Sequence, residues 1–337
     1  MRRCTAKPRQ PAGKLFVIAT LALALAVANA ADDLPEQLAF AEALFVQMDY
    51  ESAREEYRAF AEENPESPHV AKALYRIGDC HFRREAFAEA AEAYRRALKR
   101  FPDADAAPVG SYNLARACTR LGRTADALAA FRAAAASDHP RVREESLVGI
   151  GEALVALERH DDAVAPYKQL LDEYPKSEHR ADARFSLGWL QLKQKAYEKA
   201  VRNLETVREE FPDYPAMAKV ELALADGYTG LGNYERAAET LMSLRDDPEL
   251  GEQALLRSAW NMYKAGDKRG AAELFVRFAQ AYPDTPSAAS ALFNAGMARF
   301  ESGAYKQAAA LFGDILKDAG DDDADRSRKA RYWRGVS

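Results

Sequence analysis

The sequence predicts an all-α solenoid of stacked antiparallel helix pairs, and three observations predict it. First, alanine recurs at Ala53, Ala90, Ala127, Ala163, Ala200, Ala237, Ala271 and Ala308, a period of 34–37 residues. Four places after each stands a large apolar residue: Tyr57, Tyr94, Phe131, Tyr167, Leu204, Leu241, Phe275 and Phe312. Second, twelve places before each alanine stands another small residue: Ala41, Gly78, Ala115, Gly151, Gly188, Ala225, Ala259 and Gly296. Two small positions per unit let two helices approach closely. Third, proline closes most units, at Pro65, Pro102, Pro175, Pro212 and Pro283, where it cannot continue a helix.

Taken in chain order, the first segment is an address rather than part of the array. Arg2, Arg3, Lys7, Arg9 and Lys14 precede an apolar run from Leu15 to Val27, and Ala28-Asn29-Ala30 supplies small residues before Ala31. That order is the pattern of a secretory signal peptide over residues 1–30, so a periplasmic or secreted protein is expected. Cys4-Thr5-Ala6 does not continue a twin-arginine motif after Arg2-Arg3, which points to general secretion. The run is shorter than the roughly 20 apolar residues of a spanning helix, and an uncleaved inner-membrane anchor facing the periplasm is the alternative. Cleavage removes those five cations and no acid, taking the formal net charge from −5 to −10. Neither nucleic acid nor an anionic membrane surface is expected as a partner, because both attract basic patches. Cys4 lies ahead of the apolar run, so no lipid attachment is expected. Cys80 and Cys118, in neighbouring repeats, are left as either a disulfide or two buried thiols.

Residues 31–320 hold the eight repeats. In each, the first helix carries the small residue, and the second carries the alanine and its large partner. Tyr50, Phe87, Tyr197, Tyr234 and Tyr305 mark the turn between the two. A small residue in the first helix, an aromatic at the turn, alanine then an aromatic in the second helix, and a closing proline together resemble the tetratricopeptide repeat. The resemblance covers about residues 33–337. It implies a right-handed superhelix that binds protein or peptide partners. Pro65-Glu66-Ser67, Pro175-Lys176-Ser177 and Pro283-Asp284-Thr285 each lead into an alanine-rich helix. In this the chain is similar to periplasmic bacterial members of that family, such as Tol-Pal-associated cell-division coordinators and outer-membrane assembly lipoproteins.

Two elements depart from the pattern. Pro166 falls inside the second helix of the fourth unit and is expected to kink it or force an early turn. Residues 321–337 read as an acidic loop followed by a truncated first helix of a ninth repeat, with Arg331-Tyr332-Trp333-Arg334 as its core. A solenoid needs a capping element over its last apolar face. A longer protein continuing beyond Ser337 is therefore left open, in which the array would be a structural spacer or the recognition module of an enzyme.

The first helices of stacked repeats are expected to line a curved surface, and function is expected there. Three places before the small residue the register puts Tyr75, Tyr112, Phe185, Leu222, Leu256, Phe293 and Tyr332. One place after it come Asp79, Arg116, Glu152, Trp189, Asp226, Trp260 and Met297. Toward the C-terminal half this surface turns apolar, with Phe185, Trp189 and Leu192, then Leu256, Trp260 and Tyr263, then Phe293, Met297 and Phe300. Such a groove suits an extended peptide or an amphipathic helix, with aromatics as anchors; packing against neighbouring repeats is the other use of the same residues. Tyr75 and Asp79, and again Leu222 and Asp226, stand where a chaperone-carboxylate clamp would need a basic residue and Asn, so no such clamp is expected.

No catalytic, cofactor or metal site is expected. His69, His81, His139, His160 and His179 are scattered without metal-ligand spacing. Asp318, Asp321, Asp322, Asp323 and Asp325 lack the spacing and terminal Glu of a calcium loop. Neither a glycine-rich phosphate cradle after a strand nor a nucleophile elbow is present. The function expected is an exported scaffold or adaptor that presents a groove to a protein partner in envelope assembly or division.

Overall fold

The computed structural model describes residues 34–318 and 324–337; the signal-peptide segment and, of the acidic run, Asp321, Asp322 and Asp323 lie outside the described residues. The described residues form seventeen α-helices and no strand. They divide into two compact units, the first ending at Leu170 and the second starting at Leu171, inside one helix. In the first unit lie α1 (Glu36–Val46), α2 (Tyr50–Glu63), α3 (Val70–Arg83), α4 (Phe87–Arg100), α5 (Ala107–Arg120), α6 (Thr124–Ala135), α7 (Pro140–Ala156) and most of α8 (His160–Glu173). In the second lie α9 (Arg180–Lys193), α10 (Tyr197–Glu210), α11 (Met217–Gly230), α12 (Tyr234–Met242), α13 (Gly251–Ala265), α14 (Lys268–Ala281), α15 (Ala288–Glu301), α16 (Tyr305–Asp318) and α17 (Ala324–Val336). Within each unit a helix packs on the ones before and after it, and α3 also touches α5, as α9 touches α11. Odd helices are the first of each pair and even helices the second.

The two small-residue columns explain the pairing. A Cβ added at Gly78 would stand 2.5 Å from the Tyr94 ring, at Gly151 2.4 Å from Tyr167, at Gly188 2.6 Å from Leu204 and at Gly296 2.7 Å from Phe312. The small residue of the odd helix therefore receives the large residue of its own partner helix. Those large residues are buried, as are the alanines four places before them. Each large side chain contributes roughly 1.5–3 kcal/mol by leaving water. Around Tyr57 this contact grows into a core of Leu38, Ala41, Phe60, Val70 and Ala73.

The turns show a regularity that glycine placement only half reveals. Seven places after every small residue the backbone is left-handed, at Met48, Glu85, Gly122, Glu158, Lys195, Gly232, Gly266 and Gly303. Four of these carry a side chain in a region that favours glycine. The aromatics expected in the turn are in fact the first residues of α2, α4, α10, α12 and α16. At the far end of each pair, the residue before the closing proline leaves helical geometry: Asn64, Phe101, Phe211 and Tyr282 have φ −126, −134, −133 and −130° with ψ 54, 65, 60 and 58°. Clash with the proline ring disfavours helical backbone there.

Pro166 does not force the early turn: α8 runs on to Glu173. Ala163, Tyr167 and Leu170 bury one face of that helix around the proline, itself buried, and this packing outweighs one missing backbone hydrogen bond. Cys80 and Cys118 are free and buried. Burial pushes the Cys80 thiol up to about 12 and raises that of Cys118. No described helix is long and apolar enough to cross a membrane.

Candidate functional site

The candidate surface lies wholly in the second unit, on α9, α13 and α15. Spacings of three and four put Phe185, Trp189 and Leu192 on one face of α9, Leu256, Trp260 and Tyr263 on α13, and Phe293, Met297 and Phe300 on α15. Trp260 is 41% exposed, a large value for a tryptophan. The other eight are half-buried.

These nine residues do not merge into one cluster. On α13, Trp260 meets Phe275 edge-on at 5.0 Å and Tyr263 at 5.9 Å. Leu256 and Tyr263 flank the buried core around Phe275 and Phe278. The Tyr263 hydroxyl donates to Glu301 at 2.6 Å, and Lys268 lies 3.2 Å from the ring centroid and 3.3 Å from Glu301. Burial first and Glu301 second push the Tyr263 phenol up to about 12. On α15, Phe293, Met297 and Phe300 surround a core of Ala308, Phe312 and Ile315, with Phe300 5.1 Å from Trp333 of α17. On α9, Phe185 and Leu192 join the cluster of Leu204, Leu224 and Tyr228, and Lys193 stands 5.1 Å from the Trp189 ring. Each anchor is thus packed on one side and open on the other. Helix α11 breaks the apolar run, since its equivalent residue Asp226 is ion-paired with Arg257, and Thr229 donates to Asn261 at 3.0 Å.

The first unit uses the same columns differently. Glu42, one place after its small residue, accepts two hydrogen bonds from Arg76, at 3.0 and 2.8 Å. Asp79, its counterpart on α3, accepts from Tyr94 at 2.5 Å, Asn113 at 3.1 Å and Arg76 at 3.3 Å. Burial, then Asp79, raises the Tyr94 phenol far above its ordinary value. Burial lowers the Arg76 guanidinium, but Glu42 outweighs it and leaves the group raised. The sequence reading missed this network. Its signal is a polar residue two places before the small residue, as Arg76, Asn113 and Arg257, reaching back to the residue one place after the preceding small residue. A cavity of about 650 Å³ opens beside it, lined by Lys72, Tyr75, Arg76, Asp79 and Asn113. A second of about 650 Å³ lies between α2 and α4, with Leu74, Ile77 and His81 on its floor. Burial, then Arg54, holds the His81 imidazole below its ordinary value.

A tetratricopeptide repeat family model matches residues 38–105, 87–141, 112–178 and 256–324, and a second model of that repeat matches residues 154–222. No curated protein sequence matches. Among solved structures, the C-terminal part of a TPR repeat-containing protein from Cytophaga hutchinsonii is 16% identical, over 76% of this chain and 99% of that one, with a TM-score of 0.56. A tetratricopeptide repeat protein from Parabacteroides merdae is 20% identical, over 77% of this chain and 97% of that one, with a TM-score of 0.48. The protein YrrB, described as a TPR protein with an unusual peptide-binding site, is 20% identical over 59% of this chain and 96% of its own, also at 0.48. At 16% identity the likeness to the first is one of fold.

Proposed function

Because this chain belongs to the tetratricopeptide repeat family, a family of protein-interaction scaffolds, we propose that it is an exported adaptor whose second unit holds a protein segment against α9, α13 and α15. One observation carries the reading. In the first unit, Glu42 and Asp79, each one place after its small residue, are engaged by neighbouring repeats, whereas in the second unit only Asp226 is so engaged and the rest of that column is Trp189, Trp260 and Met297. Trp260 is exposed although tryptophan gains most from burial. Large aromatics half-seated in a packed surface are the usual anchors of an interface.

Binding of partners to the full chain and to its Trp189→Ala/Trp260→Ala variant tests the groove. Loss of about tenfold or more in affinity is expected, the scale of a hot-spot truncation. Identical partner sets and affinities would sink the assignment. The basic, apolar and small segments of residues 1–30 support export to the periplasm and a role in the cell envelope. Fractionation of cells expressing the tagged full chain is expected to recover it from the periplasm or the inner membrane, and a wholly cytoplasmic pool overturns this part.

A further inference from the structure

The groove of the second unit carries charge as well as aromatics, and the two signs are treated differently. Four acids share the face of the odd helices there: Glu252 is exposed one turn before Leu256 on α13, and the other three are engaged. Asp182 accepts from the Tyr214 hydroxyl at 2.7 Å, Asp226 is ion-paired with Arg257, and Glu301 is held by Tyr263 and Lys268. Asp182, Asp226 and Glu301 are thus answered from within the unit. Three lysines occupy the same face, Lys193 and Lys264 five places after their small residues and Lys219 six places before its own. All three are exposed, and none is ion-paired among the described residues. Lys193 and Lys264 rest instead near aromatic rings, 5.1 Å from Trp189 and 5.6 Å from Tyr234. This surplus of positive charge sits in a chain of formal net charge −5.

From this we infer that the occupant of the groove is an acidic protein segment bearing bulky apolar residues, its carboxylates meeting Lys193, Lys219 and Lys264 while its apolar side chains meet Trp189 and Trp260. The inference rests on the groove reading and adds the chemical class of the partner. Lysine at the rim of an apolar site steers and selects an oppositely charged partner more than it adds raw affinity. Asp226 and Glu301 are already ion-paired, so a basic segment would meet three lysines against Glu252 and the hydroxyl-bonded Asp182, whereas an acidic one meets the larger share of open charge.

The test uses the full chain and an array of synthetic peptides that share their bulky apolar positions and differ only in carrying Glu, Ser or Lys between them. All three tryptophans of the chain, Trp189, Trp260 and Trp333, lie in the second unit, so intrinsic fluorescence reports on it. The Glu peptides are expected to bind about tenfold more tightly than the Lys peptides at low salt, the sum of three modest exposed ion pairs. That advantage shrinks as salt is raised. The exposed triple variant Lys193→Glu/Lys219→Glu/Lys264→Glu is expected to remove the preference, with far-UV circular dichroism unchanged. Equal binding of Glu, Ser and Lys peptides overturns the acidic class and leaves the groove standing. Absence of binding by every peptide overturns the groove and the class together.

Discussion

At the scale of single residues, the left-handed position between paired helices makes the sharpest claim. It recurs in all eight repeats, yet only Gly122, Gly232, Gly266 and Gly303 fill it without a side chain. Met48, Glu85, Glu158 and Lys195 hold φ values of 63, 60, 58 and 57° there. A side chain in this region crowds the following carbonyl at a cost of about 1–2 kcal/mol, partly offset because glycine loses more freedom on folding. Lys195→Gly and Glu85→Gly are therefore expected to raise stability by about 0.5–1 kcal/mol, and Gly122→Ala to lower it by about 1 kcal/mol, in urea unfolding. Nothing lies within 4 Å of the Cβ that Gly122→Ala adds, so its effect isolates backbone strain from packing. Opposite signs at either kind of site would sink the argument. The column was hidden in the sequence because half of it is not glycine, and because Gly230 and Gly270, helical glycines nearby, answer to a side-chain contact instead.

At the scale of elements, the helix pairs were fully legible and their polar joints were not. Small and large residues recur at fixed offsets because each pair must solve the same contact problem, as Gly78 against Tyr94 and Gly296 against Phe312 show. Periodicity survives in the alphabet whenever every repeat meets the same constraint. The joints between successive odd helices differ from one repeat to the next, with Arg76 reaching Glu42, Asn113 reaching Asp79 and Arg257 reaching Asp226. Arg recurs at 76 and 257 and Asp at 79 and 226, but the same two columns hold Asn113, Glu42, Trp189 and Trp260 elsewhere, so the signal is a polar class at two offsets rather than one repeated residue. Pro166 failed as a breaker for a related reason. Propensity is a local preference, whereas Ala163, Tyr167 and Leu170 tie that helix into its unit. The candidate groove stands between these cases: the register located all nine residues on three helix faces, but their separation into three clusters depends on side chains from even helices, such as Phe275 and Phe312, and on Trp333.

At the scale of the whole molecule, a repeat array derives its stability from each repeat and its immediate neighbours. The substitution Gly78→Ala probes this. Its new Cβ would press into the Tyr94 ring, which cannot withdraw without losing its hydrogen bond to Asp79 at 2.5 Å. Overpacking of this kind costs about 1–3 kcal/mol. Gly78 lies in the first unit and every tryptophan lies in the second. Far-UV circular dichroism follows the helices of both units, while tryptophan fluorescence follows the second alone. With coupling confined to neighbours, Gly78→Ala is expected to move the dichroism-detected urea transition to lower denaturant and to shift the tryptophan transition by no more than about 0.3–0.5 kcal/mol. An equal shift of both transitions would show that the array unfolds as one cooperative body, and the nearest-neighbour account would fail.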